Sequence, residues 1–94
     1  MIRTFKDAAL KRYWITGSAK RLSAQDLSKI KRLLTSLNAA TKPVDMNLPQ
    51  YRFHELKGNR KGTYSVAVRA NWRLTFEWEN GAAVRVNLEN YHGN

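Results

Sequence analysis

His54, His92 and the neighbouring Tyr91 are the side chains of this chain best suited to move protons, and they stand in a strongly cationic sequence. Imidazole gains and loses a proton near neutral pH. Lys and Arg number 17 against 7 Asp and Glu, a formal charge of +10. Proton-transfer groups in such a field point to chemistry on a polyanion, or to docking on RNA, DNA, a ribosome or an acidic protein. Each histidine also has a plainer reading. His54, between Phe53 and Glu55, fits a half-buried strand histidine. His92 fits a solvated tail equally well.

Cleaving an RNA phosphodiester without metal needs a base for the 2′-OH proton, an acid for the leaving 5′-oxygen and cations for the charged phosphorane. His54 and His92 suit the proton transfers, Arg73 and Lys57 suit the cationic role, and Tyr91 can stack on a base or hold one in place. Alternation puts Arg73, Thr75, Arg85 and Asn87 on one polar face, with Lys57, Arg60 and Lys61 in an adjoining loop and Arg69 at a hairpin end. Solvated surface with two cross-strand ion pairs, Arg73–Glu89 and Arg85–Glu77, accounts for the same residues, each pair contributing about 0.2–1 kcal/mol when exposed. Cysteine is absent, and two histidines with 7 dispersed carboxylates show no ligand spacing. No metal and no cofactor is therefore expected, and neither a thiol nor a nucleophile elbow is available.

These groups need a scaffold. Residues 2–5 suit a short first strand. Asp7 then suits a helix start, with Phe5, Ala9 and Tyr13 at helical spacing beside Leu10 and Trp14, and Thr16-Gly17-Ser18 ends the pattern. Ser23 with Asp26 three residues on reads as a shortened capping box for a second helix, whose apolar stripe is Leu27, Ile30, Leu34 and Leu37, broadened by Leu33. Residues 41–50, holding Pro43 and Pro49, form a connector. Residues 51–57 read as a strand that ends at the glycine-bounded basic loop Gly58-Asn59-Arg60-Lys61-Gly62.

Three further runs alternate apolar and polar residues, around Val66, Phe76 and Val86. Directly opposed residues share a face, so apolar sets must meet. A two-residue Asn80-Gly81 turn would set Phe76 against Arg85. A three-residue loop, Asn80-Gly81-Ala82, instead pairs Trp78 with Val84, Phe76 with Val86 and Leu74 with Leu88. The same parity at Arg69-Ala70-Asn71 pairs Val68 with Trp72. It also sets Arg73 across from Glu89 and Glu77 across from Arg85. The expected fold is α+β: a short strand, two helices, then a three- to four-stranded antiparallel meander with the helices on its apolar face.

At 94 residues, 43% of them apolar, the chain suits a single domain spanning residues 1–94. The first residues scatter charge and lack an apolar h-region, and no run reaches the length of a membrane span, so a cytoplasmic protein without membrane contact is expected.

The words Met46-Asn47-Leu48-Pro49, Arg52-Phe53-His54-Glu55-Leu56-Lys57-Gly58-Asn59-Arg60-Lys61-Gly62, Val66-Ala67-Val68-Arg69-Ala70-Asn71-Trp72-Arg73-Leu74-Thr75-Phe76 and the closing Tyr91-His92 carry a further signal. With the Asn80-Gly81 turn, the opening Met1-Ile2-Arg3-Thr4-Phe5 and the helix near residues 33–41, they resemble the HigB-like branch of the RelE superfamily across nearly the whole chain. The resemblance implies a type II toxin, a ribosome-dependent endoribonuclease that cuts mRNA in the A site, on a small sheet with two helices packed on one side. It implies catalytic roles for His54, Lys57, Arg73, Tyr91 and His92, and for the position of Asn90. Arg52, Arg60, Lys61, Arg69, Asn71 and Arg85 are the residues expected to bind RNA or the ribosome. The implied partners are the 70S ribosome, with its rRNA and A-site mRNA, and a helix-turn-helix antitoxin that alone touches operator DNA. One position departs from the family pattern: Asn90 stands where the family keeps Asp. An amide orients partners but cannot take a proton as a carboxylate does. The base then lies at His92, Glu89 or His54, or the protein binds the ribosome and antitoxin with attenuated or no cleavage.

Overall fold

The computed structural model of the chain describes residues 1–90; Tyr91 and His92 lie outside the described residues. The Asp7 carboxylate accepts a 2.8 Å hydrogen bond from the Leu10 amide and caps α1 (Ala8–Thr16), which Gly17 closes in the left-handed region. Helix α2 (Leu27–Ala39) buries Ile30, Leu33, Leu34 and Leu37 of the stripe its periodicity predicts, and leaves Leu27 half-buried. The expected capping box is not formed. Ser23 makes no side-chain cap, the chain passes through a 3-10 turn at Ala24–Asp26, and the Asp26 carboxylate turns instead to Arg69. A shielded carboxylate gains more from a guanidinium than from a helix amide.

Four strands follow: β1 (His54–Glu55), β2 (Thr63–Arg69), β3 (Trp72–Glu79) and β4 (Ala82–Asn90), an antiparallel meander in sequence order. The first strand expected at residues 2–5 is reduced to two isolated parallel bridges on β4, Ile2 with Ala83 and Phe5 with Val86. Likewise the strand expected over residues 51–57 keeps only His54–Glu55, because Gln50 and Arg52 take φ of 77° and 51° and break the extended run. Leu10, Ile30, Leu33, Leu34 and Leu37 meet Val66, Leu74, Phe76 and Val86 in one core, so both helices cover one face of the sheet. Truncating such a buried leucine to alanine costs about 2–5 kcal/mol.

The hairpins solve the parity problem differently from the three-residue loops expected. Glu79 pairs with Ala82 across a two-residue turn whose Asn80 and Gly81 both have positive φ, 50° and 79°, as a type I′ turn requires. Apolar register is then restored by a bulge. Glu77 pairs with Val84 and Thr75 with Asn87, which leaves Phe76 facing both Arg85 and Val86. Arg85, the extra residue, has a φ of 50°. At the other hairpin Arg69 pairs with Trp72 while Ala67 pairs with Arg73, so Val68 is the extra residue on β2. Beyond the Arg85 bulge the predicted pairs return, Leu74 with Leu88 and Arg73 with Glu89, whereas at the other hairpin Arg69 takes the place expected for Val68 opposite Trp72.

The edge carrying His54 is tied to the helices by Tyr51. Its hydroxyl lies 3.0 Å from Ser36 Oγ, its ring centroid lies 5.5 Å from Lys29 Nζ, and its carbonyl accepts from the Ala67 amide at 2.7 Å. Phe53 then stacks on Tyr64, ring centroids 5.8 Å apart. No helix among the described residues is long and apolar enough to cross a membrane.

Candidate functional site

Opposite the helices, the sheet presents polar residues in register. His54 pairs with Ser65, Ser65 with Thr75 and Thr75 with Asn87, a row across all four strands. Ala67, Arg73 and Glu89 make the next row. Directly opposed residues share a face, so the histidine and the arginine predicted to cooperate come from adjacent rows of one surface. His54 is exposed, its Nδ1 3.3 Å from the Arg52 carbonyl oxygen. Arg73 is half-buried, with Nε and Nη1 shielded from solvent.

Glu89 is the most constrained acid on this surface. Arg60 donates to both of its oxygens, at 2.8 and 2.7 Å, and the Thr75 hydroxyl donates to Oε2 at 2.6 Å. Arg60 first, and then Thr75 against the opposing effect of burial, hold the Glu89 carboxyl down to about 2. A group so acidic is a weak proton acceptor at neutral pH, which argues against Glu89 as the base while this pairing stands. Strand alternation sets Glu89 across from Arg73, and the departure at Asn90 makes it one candidate for the base. The structure gives it to Arg60, which reaches it from a loop 29 residues earlier. Ser65 was also missed. It is buried, and its hydroxyl has no hydrogen-bond partner among the described residues.

The cations expected to bind RNA are sorted by their partners. Arg69 is carried to the helix side by the Val68 bulge, where it donates to Asp26 at 2.7 and 3.2 Å; this pairing raises its pKa. Arg85, on its own bulge, donates to Glu77 at 2.8 Å and to Glu79. Glu77, in turn, is held below the usual carboxylate range chiefly by Arg85. Lys57 and Lys61 flank the 3-10 turn Gly58–Arg60, and both are exposed. Arg52 is exposed in its left-handed turn before β1, Asn71 is exposed between β2 and β3, and Asn90 ends β4 opposite Trp72. The surface thus holds a titratable imidazole at one edge, a shielded guanidinium at its centre and an exposed pair of lysines beside a glycine-bounded loop. Such a set can bind a phosphodiester and exchange a proton with it. Among the described residues no three His, Cys, Asp or Glu side chains cluster as metal ligands would.

Comparison with known proteins points the same way. A family model described as the RelE-like toxin of type II toxin-antitoxin system HigB matches residues 3–92. Endoribonuclease HigB of Proteus vulgaris is 41% identical over 92 residues, which cover 98% of this chain and 100% of that protein. Toxin HigB-1 of Vibrio cholerae serotype O1 is 33% identical over 91 residues, covering 95% and 96%. Among solved structures, the crystal structure of a histidine mutant of YafQ from E. coli aligns with a TM-score of 0.59 at 22% identity, over 96% of this chain and 93% of that one. At that identity the likeness bears on the fold alone.

Proposed function

The chain belongs to the HigB-like family of RelE-like type II toxins, and we propose that it is an endoribonuclease that cuts mRNA in the ribosomal A site, arresting translation. The observation that carries this reading is the polar sheet face opposite the helices, on which the row of His54 lies against the row of Arg73. The family implies an antitoxin that restrains the activity, and we take it to be a helix-turn-helix protein that alone contacts operator DNA.

In this reading the 2′-oxygen of the message attacks the adjacent phosphorus as its proton leaves. The bond to the 5′-oxygen breaks as that oxygen gains a proton, giving a cyclic phosphate end and a free 5′-hydroxyl. His54 and His92 carry the two proton transfers without a metal ion. Arg73 and Lys57 hold the charge that builds on the phosphorane, and a shielded guanidinium is worth more there than one in bulk water. Tyr91 stacks on a base. The Asn90 amide, at the end of β4, orients a neighbour by hydrogen bonding and takes no proton. The ribosome contributes the geometry of the message and phosphates for Arg52, Lys61 and Asn71 to meet, a contact that weakens with salt. Induced expression in bacteria with and without the antitoxin tests the proposal. New mRNA 5′ ends inside reading frames, absent when the antitoxin is present, are expected. Growth arrest without new ends would overturn it in favour of a protein that only blocks the A site.

A further inference from the structure

The basic loop at residues 57–62 is closed at its base by the Leu56 amide, which donates to the Thr63 carbonyl at 2.8 Å. Its internal bonds, from the Arg60 amide to the Lys57 carbonyl at 3.4 Å and from the Lys61 amide to the Gly58 carbonyl at 3.1 Å, shape the turn without orienting it. Glycines bound it on both sides, with φ of 69° at Gly58 and 95° at Gly62, and nothing lies within 4 Å of where a side chain would begin at either. Among the described residues, two carboxylates secure it. Glu55 Oε2 accepts from the Gly62 amide at 2.9 Å at one end, and Glu89 grips Arg60 through both guanidinium arms in the middle. Glu89 is itself anchored, since Thr75, 2% exposed, donates to it from the centre of the sheet. A bidentate pair fixes direction as well as distance, which a single ammonium contact does not. Lys57 and Lys61, in contrast, are exposed and enter no ion pair among the described residues.

We infer that Glu89 is a positioning residue: anchored by Thr75, it holds Arg60, and with it the basic loop, against the polar face, so that Lys57 and Lys61 rather than Arg60 meet the phosphates of the message. The inference takes its substrate from the endoribonuclease reading above, and its loop geometry stands independently of it. Glu89 also cancels the charge of Arg60 in place. Arg60 then acts as a strut, and its removal should not subtract a phosphate contact.

Hydrogen exchange of the free protein, with no RNA present, tests the loop first. In Glu89→Gln and in Arg60→Met the amides of Lys61 and Gly62 should exchange about tenfold faster, while amides of β3 and β4 keep their protection. Unchanged loop exchange, or faster exchange spread over the whole sheet, would overturn the inference. Arg60→Met removes the same pair from an exposed position, so the test stands even if Glu89→Gln folds poorly. Binding to programmed 70S ribosomes across a salt series comes second. Lys61→Gln should lower the slope of log K against log salt by about one, and Arg60→Met should leave it unchanged, because the lysines of a loosened loop still reach phosphates and lose only their placement at the scissile bond. An equal drop for Arg60→Met would make Arg60 a phosphate contact and overturn the inference. Third, Glu89→Gln frees a cation while loosening the loop, so KM should hold or fall while kcat drops about tenfold. A rise in KM with kcat unchanged would contradict it. Should the wild-type protein cut no message, the cleavage reading fails, while exchange and salt slopes still decide this one.

Discussion

Arg69, at the end of β2, donates from Nε at 2.7 Å and Nη2 at 3.2 Å to the buried carboxylate of Asp26, joining the β2–β3 turn to the start of α2. The pair spans 43 residues of sequence, and its guanidinium lies on the helix side of the sheet. Removing the arginine strands a desolvated carboxylate, whereas removing a phosphate contact would weaken RNA binding. Arg69→Met is therefore expected to lower Tm by about 5 °C or more while the salt slope of ribosome binding stays that of the wild type. A lower slope with unchanged Tm would return Arg69 to the RNA-binding surface.

The Glu89 carboxyl, held down to about 2 by Arg60 and Thr75, links stability to acid. Its folded pKa lies below its ordinary value of 4.5, so the pair's contribution is complete above that value and is lost as pH falls toward 2. Because Arg60 is partly exposed, the contribution is about 1–2 kcal/mol. Urea melts of wild type and Glu89→Gln should differ by this amount at pH 7 and converge only as pH falls through 2. A constant difference across that window would show that the carboxylate's ionisation is not what stabilises the fold.

Gly81 isolates the cost of turn conformation. Its φ is 79° and no atom stands within 4 Å of an added Cβ, so Gly81→Ala meets backbone strain and no clash. A loss of about 1 kcal/mol is expected in chemical denaturation, with no change in m-value. A neutral result would mean that the Asn80-Gly81 turn relaxes freely.

Asn90 tests where the proton goes. With histidines carrying both transfers, Asn90→Asp should change the cleavage rate less than tenfold, and His92→Ala should reduce it at least a hundredfold. A gain of a hundredfold or more in Asn90→Asp would show instead that Asn90 attenuates this toxin.

Much of this arrangement was legible in the sequence, because side-chain periodicity reports which face is buried. The stripe Ile30, Leu33, Leu34 and Leu37 and the pairs Leu74–Leu88 and Arg73–Glu89 follow from it directly. Turn length did not follow, since a two-residue turn with a bulge and a three-residue loop restore the same parity. Only the backbone distinguishes them, through the positive φ of Arg85 and the extra Val68. Partner choice among charges was hidden for a related reason. Alternation puts Glu89 beside Arg73, but it does not show that Arg60 comes over the sheet from a loop and claims both oxygens. The residue words around His54 and Arg73 gave the candidate surface. The struts behind it, Glu89 and Thr75, needed the third dimension.

The most direct test of the endoribonuclease reading is primer extension on purified ribosomes programmed with a defined message, comparing wild type with Arg73→Ala. Expected are 5′ ends at the A-site codon that depend on the ribosome and fall at least a hundredfold in the variant. Cutting of the same message free of ribosomes at equal rate, or A-site cutting undiminished in Arg73→Ala, would contradict that reading.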